Sequence, residues 1–325
     1  MEPRQLRVFC IGLQNHWLSH WGSRPDVEVV GVSNRYQEAN EHYAHLPQFE
    51  DIQGALQKLN PDLVTMVTPP YAKTCMETIR TVVESGFDIY LEKFRPQSWE
   101  DGATMVSLSR SRGRQIAIGE SYRFDKFVEQ AKRVILSGKL GELGQIVWRC
   151  QRPNIRAAWM NEYEHVMLED LTYHHLGVIH YMIGAERFNQ VFATSVLPSW
   201  SIEKSPSVVS LLAQSNEGLH LNYYASWAAH SAETSWLGEF QLDGSEGSLQ
   251  LRGDRLVFIH HDGAEETIVP DESNGFELRA GIVNEFMAAC MQGRKSDLDI
   301  SSFQPVIRMI QASLESVRTG NKVDI

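Results

Sequence analysis

The run Leu6-Arg7-Val8-Phe9-Cys10-Ile11 closes on Gly12, and Val27-Glu28-Val29-Val30-Gly31-Val32 closes on Ser33-Asn34-Arg35. Leu63-Val64-Thr65-Met66-Val67 follows, stopped by Thr68-Pro69-Pro70, and then come Phe87 to Leu91 and Gln115 to Ile118. Near-continuous apolar strands of this kind build a parallel sheet covered on both faces. Helical stretches separate them. Tyr71 to Glu84 repeats apolar side chains at helical spacing (Cys75, Ile79, Val82, Val83) and stops at Gly86, while Ser98-Trp99-Glu100-Asp101 caps a helix ahead of Met105, Val106 and Leu108. Strand alternating with helix is the doubly wound, Rossmann-like α/β arrangement.

Beyond Tyr122 the rhythm changes. Phe124 to Leu136 is an amphipathic helix ending at Gly138, and strands then succeed one another: Gln145 to Cys150, Gln190 to Val196, Val208 to Ala213, Leu219 to Ser226, Gly238 to Leu242, Ser248 to Leu251 and Arg255 to Ile259. Turn signals separate them at Asn216-Glu217-Gly218, Asp243-Gly244, Arg252-Gly253-Asp254 and Asp262-Gly263. A helix from about His165 to Ile183 interrupts the series, and two more close the chain, about Phe276 to Gln292 and Ser301 to Thr319. The expectation is an N-terminal Rossmann-like domain over 1–122, then a C-terminal α+β domain over 123–325 with a large, mostly antiparallel open sheet.

The chain has 325 residues, 42% of them hydrophobic and 22% charged, with a net charge of −11. Its pI is about 5.6 and its mean hydropathy −0.29. That length suits two domains that bury a core without disulfide or metal staples. The acidic balance argues against a nucleic-acid partner, which selects a basic face. No apolar run reaches membrane-spanning length, and the short apolar run after the charged start is no signal peptide. Cys10, Cys75, Cys150 and Cys290 are scattered, with no CxxC. They read as neither a disulfide framework nor a zinc site, which fits a reducing cytosol.

A strand, a glycine and a helix at the start of a doubly wound domain suggest a dinucleotide site. Here Gly12 is followed by Gln14 and Trp17 at the next glycine positions. The sequence is also read as a Rossmann-like domain kept for its shape. After strand two, where an acid would bind the ribose diol of NAD, stand Ser33, Asn34 and Arg35. A guanidinium there matches a 2′-phosphate, so NADP is favoured, with NAD as the alternative.

Strand four runs into Glu92-Lys93-Phe94-Arg95-Pro96. Later come Glu120-Ser121-Tyr122-Arg123-Phe124, Gly138-Lys139-Leu140-Gly141-Glu142, Asp170-Leu171-Thr172-Tyr173-His174-His175, Gly244-Ser245-Glu246-Gly247-Ser248 and Gly320-Asn321-Lys322-Val323. In this order, and over nearly the whole chain, the sequence resembles the glucose–fructose oxidoreductase / inositol dehydrogenase family, of the Gfo/Idh/MocA type. The resemblance implies an NAD(P)-binding domain and reversible oxidation of a sugar or polyol hydroxyl. In some relatives a transient oxidation serves to eliminate or hydrolyse a group. It also implies a homodimer or homotetramer assembled through the C-terminal sheet. The family's active-site positions fall on Lys93, Asp170 and His174. Cofactor contacts are expected from Gly12, Gln14, Asn15, Ser33, Asn34, Arg35, Thr68, Pro69, Glu92 and Lys93, and substrate contacts from Lys93, Tyr122, Arg123, Arg152, Asp170, His174 and His175. The chain departs from the pattern at the displaced Pro96, the altered glycine loop, the short Gly12–Pro25 segment, and Gly177 in place of a second acid.

The residue chemistry agrees with those roles. Lys93 lies at the carboxyl end of strand four, where open sheets place their ligand crevice, and its amine can polarise a carbonyl or hold an alkoxide. Asp170 and His174 are four apart on a helix and share a face, and an imidazole beside a carboxylate moves protons near neutrality. Trp159, Tyr163 and Trp227 are candidates for sugar stacking or for packing, and packing is the commoner fate of buried aromatics. Arg152, Asn154 and Arg156 form a polar loop of the kind that meets substrate. His165/Glu169 and Asp170/His174 also have the spacing of metal-ligand pairs, without a clear third ligand, so no metal is expected. Two alternatives to the oxidoreductase remain: a cofactor-less sugar-binding relative, and a metal-dependent or redox-assisted lyase or hydrolase.

Overall fold

The computed structural model describes residues 5–12, 21–33, 44–67, 74–92, 98–153, 163–230, 233–270 and 278–325. The chain forms two compact units, Met1–Glu120 with Ile282–Gln304, and Ser121–Gly281 with Pro305–Ile325. A single cut at residue 122 makes no provision for the return of Ile282–Gln304 to the first unit.

In the first unit, β1 (Leu6–Ile11), β2 (Val27–Ser33), β3 (Leu63–Val67), β4 (Ile89–Glu92) and β5 (Ile116–Gly119) form a sheet in the order β2-β1-β3-β4-β5. All of its pairings are parallel. Every residue of β3, β4 and β5 is buried, as a sheet covered on both faces requires. The strand order reverses at β1, which pairs with both β2 and β3, and such switch points open a crevice at the carboxyl ends of the strands. The helices α1 (Ile52–Leu59), α2 (Thr74–Glu84) and α3 (Trp99–Arg112) belong to this unit. Ser98 caps α3 as its sequence predicts, its Oγ accepting from Asp101 N at 3.0 Å. The short α1 was not anticipated, although Asp51 caps it from Gln53 N at 3.0 Å and Asn60 ends it in the left-handed region.

Among the described residues the second unit holds nine strands: β6 (Leu143–Gln151), β7 (Gln190–Val196), β8 (Val208–Gln214), β9 (His220–Ser226), β10 (Glu239–Gly244), β11 (Gly247–Arg252), β12 (Arg255–Ile259), β13 (Glu265–Ile268) and β14 (Val323–Asp324). Their order is β13-β12-β11-β10-β6-β9-β8-β7-β14. The central pair β6–β9 is parallel and the other pairings are antiparallel. Burial alternates along β8, with Val209, Leu211 and Ala213 inside and Ser210, Leu212 and Gln214 exposed, so one sheet face is covered and the other open. The edge strand β13 carries Glu265-Glu266-Thr267-Ile268, too polar to stand out as a strand, and its acids guard the edge against further pairing.

The helices α4 (Lys126–Leu136) and α7 (Gln304–Thr319) follow the expected spans to within a turn, α5 (Tyr173–Ile183) begins later than expected because a π-helical turn precedes it, and the division between units falls inside α6 (Leu278–Gln292). Asp243-Gly244, expected as a turn, ends β10 instead, and the turn itself lies at Ser245-Glu246. Gly244 is required because a Cβ there would strike the Leu140 carbonyl.

The returning segment is tied to the first unit by Gln115, whose Nε2 donates to the Arg294 carbonyl at 2.9 Å, and is braced internally. Arg294 donates to Glu285 through Nη1 at 2.8 Å and Nη2 at 2.7 Å, and Glu285 also accepts from Ser296 Oγ at 3.1 Å and Asp297 N at 3.0 Å. Burial raises the Glu285 carboxyl, but these donors outweigh it and hold the group below its usual range. Glu285→Ala is expected to lower the unfolding free energy by about 1–2 kcal/mol in urea titration, while breaking the exposed Arg318–Glu315 pair leaves the midpoint unchanged.

Candidate functional site

The helix expected from about His165 to Ile183 is not uniform. Met167–Thr172 form a π-helical turn, and α5 begins at Tyr173. Thr172 Oγ donates to the Met167 carbonyl at 2.9 Å, five residues back. A π turn carries a strain that persists mostly where function needs it. Asp170 lies inside this turn and His174 in the first turn of α5, each 6% exposed. Tyr163 Oη donates to Asp170 Oδ1 at 3.4 Å. The His174 ring meets Tyr122 edge-on with centroids 5.6 Å apart, and Tyr173 lies 6.0 Å to another side. A carboxylate and an imidazole one turn apart, both nearly enclosed, are equipped to orient and move a proton.

His175 differs from its neighbour. It is fully buried. Its Nε2 lies 2.8 Å from the Trp236 carbonyl and its Nδ1 2.8 Å from Tyr223 Oη. A carbonyl only accepts, so Nε2 carries the hydrogen, Nδ1 accepts, and the tyrosine donates. Burial drives the His175 pKa down to about 3, opposed by the Trp236 carbonyl. The charges of His174 and Asp170 both reach it, the first lowering and the second raising its pKa. Burial likewise pushes the Tyr223 hydroxyl well above its ordinary value. His175 was expected to touch substrate. With no exposed surface and both nitrogens committed, it is an internal strut instead. Tyr223 and Trp236 were not singled out from the sequence. The alternation along β9 puts Tyr223 on the covered face with Leu221 and Ala225, a signal that was there to be read, whereas Trp236 lies between strands, where no periodicity applies.

Other expected contacts are also internally engaged. The Arg152 guanidinium lies over the Trp236 ring at 4.3 Å, donates to the Thr234 carbonyl at 2.8 Å and pairs with Glu233. Arg123 is 7% exposed and stacks on Tyr181 at 4.5 Å and Phe124 at 5.0 Å. Tyr122 stacks on His175 at 6.2 Å. Trp227 is fully buried, with its ring edge-on to Trp236 at 6.3 Å, and its role is packing. Among the described residues no three His, Cys, Asp or Glu side chains gather as a metal-binding group.

On the first unit, Gly12 ends β1 at φ +77°, and a Cβ there would strike the Val67 carbonyl at the end of β3. Gly12 N donates to the Ser33 carbonyl at 2.8 Å, and Ser33 is fully buried. Glu92 ends β4 and is 7% exposed. Gly12, Ser33 and Glu92 thus stand at the carboxyl ends of β1, β2 and β4, and the tight backbone that only glycine permits at Gly12 fits a dinucleotide turn. Gln14, Asn15, Asn34, Arg35, Thr68, Pro69 and Lys93 lie outside the described residues, as do Trp17, Asn154, Arg156 and Trp159.

Comparison with known proteins agrees with this architecture. Residues 6–120 match the oxidoreductase family with an NAD-binding Rossmann fold, and residues 128–250 match the GFO/IDH/MocA C-terminal domain. The chain belongs to the GFO/IDH/MocA family of oxidoreductases, and its first unit has that family's NAD-binding Rossmann fold. Among curated relatives, the D-glucoside 3-dehydrogenase of Escherichia coli K12 is 27% identical over 154 residues, which is 44% of this chain and 42% of that protein. The uncharacterized oxidoreductase YhhX of the same organism is 27% identical over 121 residues, 36% of this chain and 34% of that protein. These matches therefore span less than half of either relative. Among solved structures, an oxidoreductase from Agrobacterium radiobacter in complex with NAD+, L-tartaric acid and magnesium superposes with a TM-score of 0.85 at 15% identity, covering 98% of each chain. At such identity the likeness is one of fold. Among the described residues no helix is long and apolar enough to cross a membrane.

The buried neutral imidazole has a consequence for acid stability. Below the ordinary His pKa of 6.5 the unfolded chain takes up a proton that folded His175 refuses until about pH 3. Folding stability therefore falls as pH drops through that window, by about 1.4 kcal/mol per pH unit from this residue. Urea titrations at pH 7 and pH 5 are expected to show a difference about 2 kcal/mol smaller in His175→Gln than in the wild type.

Proposed function

We propose that the protein is an NAD(P)-dependent oxidoreductase acting on a CH–OH group of a sugar or polyol, with NADP preferred. The observation that carries this reading is the Asp170–His174 pair set across a π turn in a chain of this oxidoreductase family. Similarity to a D-glucoside 3-dehydrogenase supports the substrate class. Gly12, Gln14, Asn15, Ser33, Asn34, Arg35, Thr68, Pro69, Glu92 and Lys93 would hold the dinucleotide, with Arg35 directed to a 2′-phosphate. When bound, the nicotinamide supplies the two-electron redox partner of the carbinol carbon.

The chain's own residues do the rest. An imidazole nitrogen of His174 takes the hydroxyl proton in oxidation and returns it in reduction. Asp170, steadied by Tyr163, lies one turn before His174 and would help to orient the reacting hydroxyl. The Lys93 amine steadies the developing alkoxide. The open sheet face joins copies of the chain into a dimer or tetramer, and the protein works in the cytosol.

A second reading has one specific support. The Val67 carbonyl already explains why residue 12 must be glycine, and Gln14 and Trp17 follow in place of further glycines. A cofactor-less sugar-binding relative would keep the same turn. Titration of purified, cofactor-free protein with NADPH and NADH, followed by nicotinamide fluorescence, separates the two readings. Saturable binding with NADPH the tighter is expected; tighter NADH keeps the enzyme and removes the role of Arg35; binding of neither selects the second reading. In the enzyme, Lys93→Ala and His174→Ala are each expected to lower kcat by about 10²–10⁴-fold without loss of fold. Wild-type turnover in both would overturn the site assignment.

A further inference from the structure

The segment 233–238, between β9 and β10, is tied to β6 by several bonds. Gln151 N donates to Thr234 Oγ at 3.1 Å, Thr234 N donates to the Gln151 carbonyl at 2.9 Å, and Trp148 Nε1 donates to the Leu237 carbonyl at 3.1 Å. Arg152 lies over the Trp236 ring. These contacts fix the segment to the sheet. The bond from His175 Nε2 to the Trp236 carbonyl is of another kind, because it fixes the segment to the helix that carries His174. Tyr223 on β9 fixes the same imidazole from the sheet. One ring thus joins the helix, a central strand and the loop. The Trp148 ring packs against it at 5.5 Å and the Tyr122 ring at 6.2 Å, so it has no room to turn.

We propose that His175 is a positioning residue, and that the string from Tyr223 Oη through His175 to the Trp236 carbonyl holds the Asp170–His174 turn in register with the sheet. The inference rests on the oxidoreductase reading for its kinetic consequence, but not for its chemistry. The string has a direction: the tyrosine donates, Nδ1 accepts, Nε2 donates and the carbonyl accepts. Reversal at any point leaves a buried donor facing a donor, or an acceptor facing an acceptor. The ring is therefore locked in one tautomer, and the helix cannot slide or rotate along β9 without breaking both bonds. His174 is the next residue, so its ring inherits that placement. Small displacements of a proton-transfer group are costly to rate.

The test compares His175→Leu, His175→Gln and Tyr223→Phe. Leucine fills volume and makes neither bond. Glutamine can still donate to the Trp236 carbonyl. Phenylalanine removes one oxygen and keeps the ring. The expected result is a kcat about 10–100-fold lower in His175→Leu, a smaller loss in Tyr223→Phe, partial recovery in His175→Gln, and cofactor affinity unchanged throughout. Wild-type kcat in both His175→Leu and Tyr223→Phe overturns the inference. So does an equal loss in the Leu and Gln variants at matched unfolding midpoints, because packing alone would then carry the effect. Should His175→Leu fail to fold, Tyr223→Phe decides the kinetic arm. Ring nitrogen-15 spectra of the wild type supply a readout independent of activity, with His175 expected as the Nε2–H tautomer, unchanged from pH 8 to pH 5. An Nδ1–H tautomer, or titration near pH 6, overturns the inference even if the protein oxidises no sugar alcohol, an outcome that would sink the oxidoreductase reading separately.

Discussion

A neutral imidazole enclosed between a tyrosine hydroxyl and a backbone carbonyl organises the second unit. His175 stands where the helix bearing Asp170 and His174, the central strand β9 and the loop before β10 meet. Burying an imidazole is costly unless both nitrogens are satisfied. Both are, and only in one arrangement of hydrogens. The loop and the helix are therefore not free to settle independently on the sheet. Trp148, Tyr122 and Tyr223 crowd the ring from several sides, so the polar string and the aromatic packing reinforce one another. An all-apolar residue could fill the space, but it would not specify the angle between helix and sheet.

The π turn acts within that constraint. In a regular helix, Asp170 would take the orientation set by its spacing from Tyr173 and His174. The Met167–Thr172 turn takes an extra residue into its ring, and the Thr172 hydroxyl returns to the Met167 carbonyl. This re-aims Asp170 relative to α5 without changing the sequence spacing, and Tyr163 meets the re-aimed carboxylate. The turn therefore depends on α5 being held fast behind it. Were the helix able to slide, the cheaper answer to the strain would be a regular helix.

The fold was largely legible because the two halves advertise different periods. β3, β4 and β5 are nearly continuous apolar runs, and β8 alternates residue by residue, which are the marks of a doubly covered parallel sheet and a half-open one. Elements without such a mark were missed. α1 is a single short amphipathic segment, and β13 has two glutamates in four residues. The return of Ile282–Gln304 to the first unit rests on long-range contacts of Gln115 with Arg294 and Ser296, which no local pattern encodes. At the candidate site, the Asp170/His174 spacing was visible, since four residues is a local relation. The fate of His175 was not, because its partners Tyr223 and Trp236 lie 48 and 61 residues away. An adjacent pair of histidines looks like two equivalent contacts until tertiary structure removes one of them wholly from the surface.

Gly12 shows how one residue can answer two demands. Its positive φ and its closeness to the Val67 carbonyl come from β1 and β3 packing at the switch point of the sheet. That demand exists with or without a ligand, because any Cβ would push the two strand ends apart. A dinucleotide turn needs the same freedom for a different reason, the close approach of backbone to phosphate. The first glycine of a nucleotide loop therefore carries less functional information than the later ones, which have no such structural excuse. In this chain the later positions are Gln14 and Trp17. Any hold on a pyrophosphate would then have to come from backbone donors and from the residues at the ends of β2, β3 and β4, and in the proposed enzyme the Ser33-Asn34-Arg35 group would bear more of the binding than it would beside a full glycine loop.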